Sequence, residues 1–150
     1  MANARIGSHP SHGYQLAETI DTTSKQLTWN DSGKVFYCVQ NGTADVEVYL
    51  PKLSTEIAGW QAKFILKTSA ANDFWVTAFG SSSGGSTSGD SDTIVTVELG
   101  DTNTSDLAAD SLKMVGGSAV AGDSIDICTD GTKWYSNQIT SLDAGADVAG

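Results

Sequence analysis

The chain has 150 residues, enough for one domain that buries about 70% of its unfolded surface. Apolar residues make up 39%, Gly, Ser, Thr and Asp are abundant, and runs of Ala, Leu, Glu and Lys at helical spacing are missing, which predicts an all-β protein with many turns. The net charge is −10, with six basic and seven acidic residues in 1–80 but two and eleven in 81–150, a balance that argues against nucleic acid and anionic membrane surfaces as partners.

Residues 1–23 read as an N-terminal arm, 24–140 as a β domain and 141–150 as a flexible acidic tail. The opening MANARIGSHPSHG has no periodicity and no apolar segment of the signal-peptide kind, and no window has the apolar length of a membrane span. Residues 14–20 suit either a strand or a short turn of helix. Residues 26–30 are predicted as a short strand with Leu27 and Trp29 on one side, and Asp31-Ser32-Gly33 as a turn. Residues 34–40 alternate Val35, Tyr37 and Val39 against Phe36 and Cys38. Asn41-Gly42 is a strong two-residue hairpin signal. Residues 34–50 are therefore expected to form an antiparallel hairpin, with Val46, Val48 and Leu50 inward and Asp45, Glu47 and Tyr49 outward.

Pro51 ends that strand because it has no N–H for the ladder. Residues 52–59 form a loop with one helical turn over Leu53, Ile57 and Ala58. The strand at 60–67 places Trp60, Ala62, Phe64 and Leu66 on one face. The next, at 74–79, is apolar on both faces, as in a central strand or a subunit contact. The stretch GSSSGGSTSGDSD at 80–92 is an exposed loop. Residues 93–99 form a strand with Val95, Val97 and Leu99 on one face, and 100–110 a second polar loop. Weak strands at 111–115 and 118–121 flank Gly116-Gly117. In 123–136, DSIDICTDGTKWYS, Ile125 and Ile127 alternate with Asp126 and Cys128. Asp130-Gly131 predicts a type I′ turn, and Trp134 and Tyr135 lie on the returning strand. Eight to ten such strands make an antiparallel β-sandwich or jelly-roll-like barrel. No internal repeat is visible.

Catalytic chemistry has few places to sit. His9 and His12 both fall in the arm, which argues against Ser-His and Cys-His catalysis, and two imidazoles without a third ligand read as solvated rather than metal-binding. There is no CxxC, P-loop or GxGxxG opening a helix. Cys38 and Cys128 read as reduced core residues, which predicts folding in a reducing cytosol. Asp90, Asp92, Asp101, Asp106 and Asp110 read as solvated loop acids. Calcium binding is the alternative, although their spacing fits no EF-hand. The reading is a protein that is not an enzyme, with no catalytic, cofactor or metal residues. Trp29, Trp60, Trp75, Trp134, Tyr49 and Tyr135 are candidates for a sugar platform, with burial in the core the commoner fate of such rings. Trp75 and Tyr49 point away from their strands' main apolar faces and are the expected surface or interface aromatics.

Five signals recur in order: the turn DSGK at 31–34, VEVYLP at 46–51, AGW at 58–60, NDFWV at 72–76 and GDSIDICTDGTKWY at 122–135. This order resembles small β-structured phage virion proteins, namely capsid decoration (cement) proteins and tail-fibre knob modules, over about residues 24–136. The shared signals are turns and strand patterns, so they carry fold and no catalytic residue. The resemblance implies a homotrimer on the capsid exterior, with the major capsid protein as partner, located in the virion and assembled in the host cytoplasm. A chain that starts at its own Met and ends soon after the domain, with no heptad or β-helix stalk, fits a free-standing decoration protein better than a piece of fibre. A carbohydrate- or receptor-binding tail-fibre module is the alternative. The trimer contact is expected at residues 74–79, where Trp75, Thr77 and Phe79 make a second apolar face.

Overall fold

From residue 17 to residue 77 the chain lays its strands alternately into two sheets. The computed structural model describes residues 16–82, 85–86, 92–99, 109–139 and 145–149. Strands β1 (Ala17–Ile20), β3 (Val35–Val39) and β5 (Gln61–Thr68) lie side by side and parallel in one sheet. Strands β2 (Ser24–Gln26), β4 (Val46–Tyr49) and β6 (Phe74–Thr77) do the same in the other. Parallel neighbours need a crossover between them, and here each crossover is a strand of the opposite sheet. The first half of the chain is thus three flattened coils.

The second and third coils stack in register. Val35 pairs with Lys63 and Val46 with Phe74, so both sheets join residues 28 apart. The same offset sets Phe36 beside Phe64, whose rings stack at 5.3 Å and 15°, and Val48 beside Val76. It also sets Asp45 below Asp73. The Asp45 Oδ1 accepts the Asp73 N–H at 2.9 Å, and the Asp73 Oδ1 accepts the Gly116 N–H at 2.7 Å. These carboxylates satisfy strand-end amides that the ladder leaves open.

The rest of the chain closes the coils. The short hairpin β7 (Ser81–Ser82) and β8 (Gly85–Ser86) leads to β9 (Ile94–Leu99), and then come β10 (Ser111–Met114), β11 (Ser124–Thr129), β12 (Trp134–Ile139) and β13 (Ala146–Ala149). The six-stranded sheet runs β1-β3-β5-β11-β12-β9 and the five-stranded sheet β13-β10-β6-β4-β2. The β11–β12 hairpin is antiparallel to β5, and β10 is antiparallel to β6 and β13. One core fills the space between the sheets. Phe64 meets Phe74 across it at 6.3 Å, and Trp60 stands edge-on to Trp134 at 5.2 Å.

The protein is all-β with two mixed sheets, and five of the nine pairings in these sheets are parallel where antiparallel pairing was expected. The expected 34–50 hairpin is the main correction: β3 and β4 belong to different sheets. Gln40 explains why. Its buried side chain donates to the Met114 carbonyl at 2.8 Å and accepts the Ala70 N–H at 2.9 Å. Asn72 Nδ2 donates to the Asn41 carbonyl at 2.9 Å. These bonds hold a corner between sheets where a hairpin ladder would otherwise satisfy the backbone. The terminal hairpin is present, but Thr129 pairs with Trp134, so four residues link its strands. Gly131 has φ +92° and Asp130 has no positive φ, so the turn is not type I′. Asp130 Oδ1 instead accepts the N–H groups of Thr132 and Lys133 at 2.8 and 2.9 Å.

Smaller differences follow the same logic. The strand expected at 26–30 ends at Gln26, and Trp29–Asp31 is a 3-10 turn. Residues 118–121 form no strand. On β9 Ile94 and Thr96 are buried and Val95 is half-buried, so over these residues the inward face is the one opposite to that expected. Strands β1 and β13 extend the β domain beyond the expected limits of 24 and 140, because each finds an edge to pair with. A 28-residue repeat of structure exists where no sequence repeat shows.

Phe64→Ala removes the ring that touches both Phe36 and Phe74, and is expected to lower the unfolding free energy by about 3–5 kcal/mol in denaturant melts followed by circular dichroism. Gly116→Ala would bring a Cβ within 2.4 Å of the Ala71 carbonyl oxygen, and the same measurement should read a loss of about 1–3 kcal/mol.

Candidate functional site

The outer face of the six-stranded sheet is unusually apolar for a sheet facing water. The registers set Tyr37, Ile65, Ser124 and Ile139 in one row, Val35, Lys63, Asp126 and Asn137 in the next, and Gln61, Cys128 and Tyr135 in a third. Tyr37 and Tyr135 are exposed, and Ile139 is 50% exposed. Lys63 and Asp126 pair with each other at 3.1 Å in the middle of this face. A shallow cleft of about 480 Å³ crosses it, between Val35, Lys63, Cys128 and Tyr135. The Tyr135 hydroxyl donates to Asp130 Oδ2 at 3.0 Å, which raises the pKa of the phenol. Three hydrogen bonds from Thr132 and Lys133, together with that of Tyr135, hold the Asp130 carboxyl well below the usual range.

The outer face of the five-stranded sheet is different, because its own side chains close it. Glu47 accepts the Tyr49 hydroxyl at 2.6 Å and the Thr77 hydroxyl at 3.1 Å. The Tyr49 pKa is pushed up to about 12, first by its hydrogen bond to Glu47. Trp75 donates its Nε1–H to Asp45 at 3.3 Å, and the Lys113 ammonium lies 5.0 Å from its ring centre. Trp75 is therefore only 6% exposed, and Tyr49 is half-buried. The expectation that these two are the surface or interface aromatics is corrected, and Trp75 has little surface left to give to a trimer contact.

Trp29 is the tryptophan that faces solvent, at 69% exposure, whereas Trp60, Trp75 and Trp134 are buried. Its 3-10 turn is tied down on both sides. Asp31 Oδ2 accepts the N–H and the hydroxyl of Thr28 at 2.8 and 2.9 Å, and Asp31 Oδ1 accepts from Lys34 at 2.6 Å. Lys34 and Lys25 both reach Glu18, and the Trp60 indole donates to the Thr28 carbonyl at 3.1 Å. Burial raises the Asp31 pKa, but Lys34 and Thr28 outweigh it and leave the carboxyl below its ordinary value. Trp29 lines a groove of about 660 Å³ with Pro51, Lys52, Glu56, Ile57 and Phe79. Phe79 is 38% exposed, with the Lys52 ammonium 5.7 Å from its ring centre. The pattern Thr28-Trp29-Asn30-Asp31 has the spacing of a capping box, and that signal is enough to find this turn from sequence.

The other chemistry-bearing residues are dispersed. His9, His12, Asp90, Asp101 and Asp106 lie outside the described residues. Asp92 accepts the Leu53 N–H at 2.7 Å, and burial raises its pKa. No group of three or more His, Cys, Asp or Glu is gathered for a metal among the described residues. Both cysteines are free. Cys38 is buried, which pushes its thiol pKa far up, but Cys128 is exposed on the outer face and corrects its expected place in the core. Inside the sandwich β12 turns polar beyond Trp134, with Ser136 and Gln138 buried and Thr96 opposite Ser136. No protein-family model, curated protein or solved structure matches the chain.

Two outcomes follow. The Asp31 carboxyl has a lower pKa folded than unfolded, where its ordinary value is 3.8. Its stabilisation is complete above the unfolded value and is lost as pH falls through the folded one. The stability gap between wild type and Asp31→Asn should hold from neutral pH to about pH 5 and close progressively below it, read from urea melts across that range. Trp75→Ser should lower stability by about 3 kcal/mol or more, read from the same urea melts.

Proposed function

We propose that this protein is a non-enzymatic structural component of a bacteriophage virion, a decoration protein that binds the outer capsid surface as a homotrimer and reinforces the shell. The single observation that supports this most is the outer face of the six-stranded sheet. Val35, Tyr37, Ile65, Tyr135 and Ile139 share it with the Lys63–Asp126 ion pair and the uncharged Gln61, Ser124 and Asn137, on a chain of net charge −10. A neutral, Tyr-rich patch on an acidic protein suits a protein partner. The acidic remainder keeps decorated particles apart in solution. The resemblance of its strand and turn signals to those of phage decoration proteins favours the same reading, as does the sandwich-like pair of sheets.

Area supports the trimer. Four strands about 4.8 Å apart and three rows about 6.8 Å apart make a patch of roughly 400 Å². A standard interface needs about 800 Å² from each partner. One copy falls short, but three copies held together on one site exceed it, and linked weak contacts gain by avidity.

Cryo-electron microscopy of intact virions should find density for this chain at local three-fold positions of the capsid lattice. Tyr37→Lys combined with Ile139→Lys should reduce binding to undecorated capsids about tenfold or more, while its circular dichroism and melting stay those of wild type. Density at the tail tip, or undiminished binding by that variant, would overturn the proposal. A sedimentation mass of one 15.6 kDa chain at micromolar concentration would remove the trimer from it.

A further inference from the structure

We propose that the groove beside Trp29 is a binding site for an uncharged pyranose sugar, a role independent of capsid attachment. A pyranose ring is amphipathic, with C–H groups on its faces and hydroxyls around its rim. It needs a flat apolar platform with polar groups at the edge. The groove supplies both. Trp29 presents an exposed indole, Phe79 and Pro51 add apolar wall, and Lys52, Glu56 and Gln26 stand among them. The volume of about 660 Å³ lies within the range of small-ligand sites, about 300–1,000 Å³.

The platform is set before any ligand arrives. Asp31 locks the 3-10 turn through Thr28 and Lys34, so little freedom is lost when a ring stacks on Trp29. Gln26 is held as well. The two hydrogens of its Nε2 are shared among the carbonyls of Leu27, Tyr49 and Leu50, which lie at 2.9, 3.2 and 3.2 Å. The amide oxygen is thereby held in place, with no competing donor among the described residues, as an acceptor for a hydroxyl.

Charge selects the class of ligand. Lys52 and Glu56 have opposite signs, so the lining is neutral within a chain of net charge −10. A sialylated or sulfated sugar would meet the Glu56 carboxylate and the field of the whole chain. An alkyl chain would cover Lys52, Glu56 and Gln26 without hydrogen-bonding them, which is unfavourable. A neutral hydroxyl rim bonds to all three.

Trp29 is the solvent-facing one of the four tryptophans, so intrinsic fluorescence reports on this groove in the intact protein. Titration with a panel of neutral oligosaccharides should shift the emission to the blue and protect Trp29 from acrylamide, with saturation in the millimolar range or below. Trp29→Ala should abolish binding measured by calorimetry, and Phe79→Ala should weaken it about tenfold, both with unchanged melting. Trp29→Ala should leave capsid binding as in wild type. The proposal is overturned if no neutral sugar protects Trp29, if only anionic sugars do, or if binding survives Trp29→Ala. Loss of capsid binding by Trp29→Ala without any sugar binding would also overturn it and give the groove to the shell protein.

Discussion

The fold depends on the parallel register between its second and third coils. Once Val35 faces Lys63 and Val46 faces Phe74, the same offset in both sheets sets the rest. Phe36 and Phe64 must stack, Val48 and Val76 must share a row, and Asp45 comes within reach of the Asp73 amide. A slip of one residue would turn every core side chain outward. The corner at Gln40 enforces the register, since its amide bonds the Ala70 N–H of the next coil and the Met114 carbonyl of the closing strand together.

The two sheets solve the problem of their outer faces differently. On the five-stranded sheet several polar groups of the described residues meet others from the same chain. Glu47 takes two hydroxyls, and Trp75 lies between Asp45 and Lys113. The six-stranded sheet leaves tyrosines and isoleucines around a lone ion pair, and leaves Cys128 in a cleft rather than in the core. The proposed capsid and sugar contacts therefore fall on this sheet and on the Trp29 turn. The turn belongs to the connection from β2 to β3, one of the crossings between sheets.

Much of the fold was legible in the sequence because alternation is a local property. The inward sets Val46, Val48, Leu50 and Trp60, Ala62, Phe64, Leu66 follow from it and are buried. So does the terminal hairpin of β11 and β12. Pairing was not legible, because a period-two pattern says which face is buried and not which neighbour is bonded. Asn41-Gly42 reads locally as a hairpin, but contacts far along the chain at Ala70 and Met114 decide its geometry. The face of β9 was misread for a related reason. Val95 looks like core beside Thr96, but Thr96 is the buried one, because a sheet with apolar residues on its outer face does not sort its residues by polarity. Trp75 and Trp29 exchanged their expected places. One is covered by a lysine of β10 and by the aspartate just before β4, which no local pattern reveals, and the other is turned out by a capping pattern rather than held in a strand.

The strand order also carries a consequence for synthesis at the ribosome. Among the described residues, β9 has its ladder in β12, with Ile94 opposite Trp134. Its apolar sequence IVTVEL is therefore made about 40 residues before its partner. At roughly 5–20 residues per second that interval lasts about 2–8 s. The coils from β1 to β6 can wind as they emerge, whereas β9 must wait for the β11–β12 hairpin to insert beside β5. The nascent chain is thus most prone to sticking in the interval between the emergence of β9 and that of β12, when the coils from β1 to β6 can already be wound and β9 is left for a holding chaperone to cover.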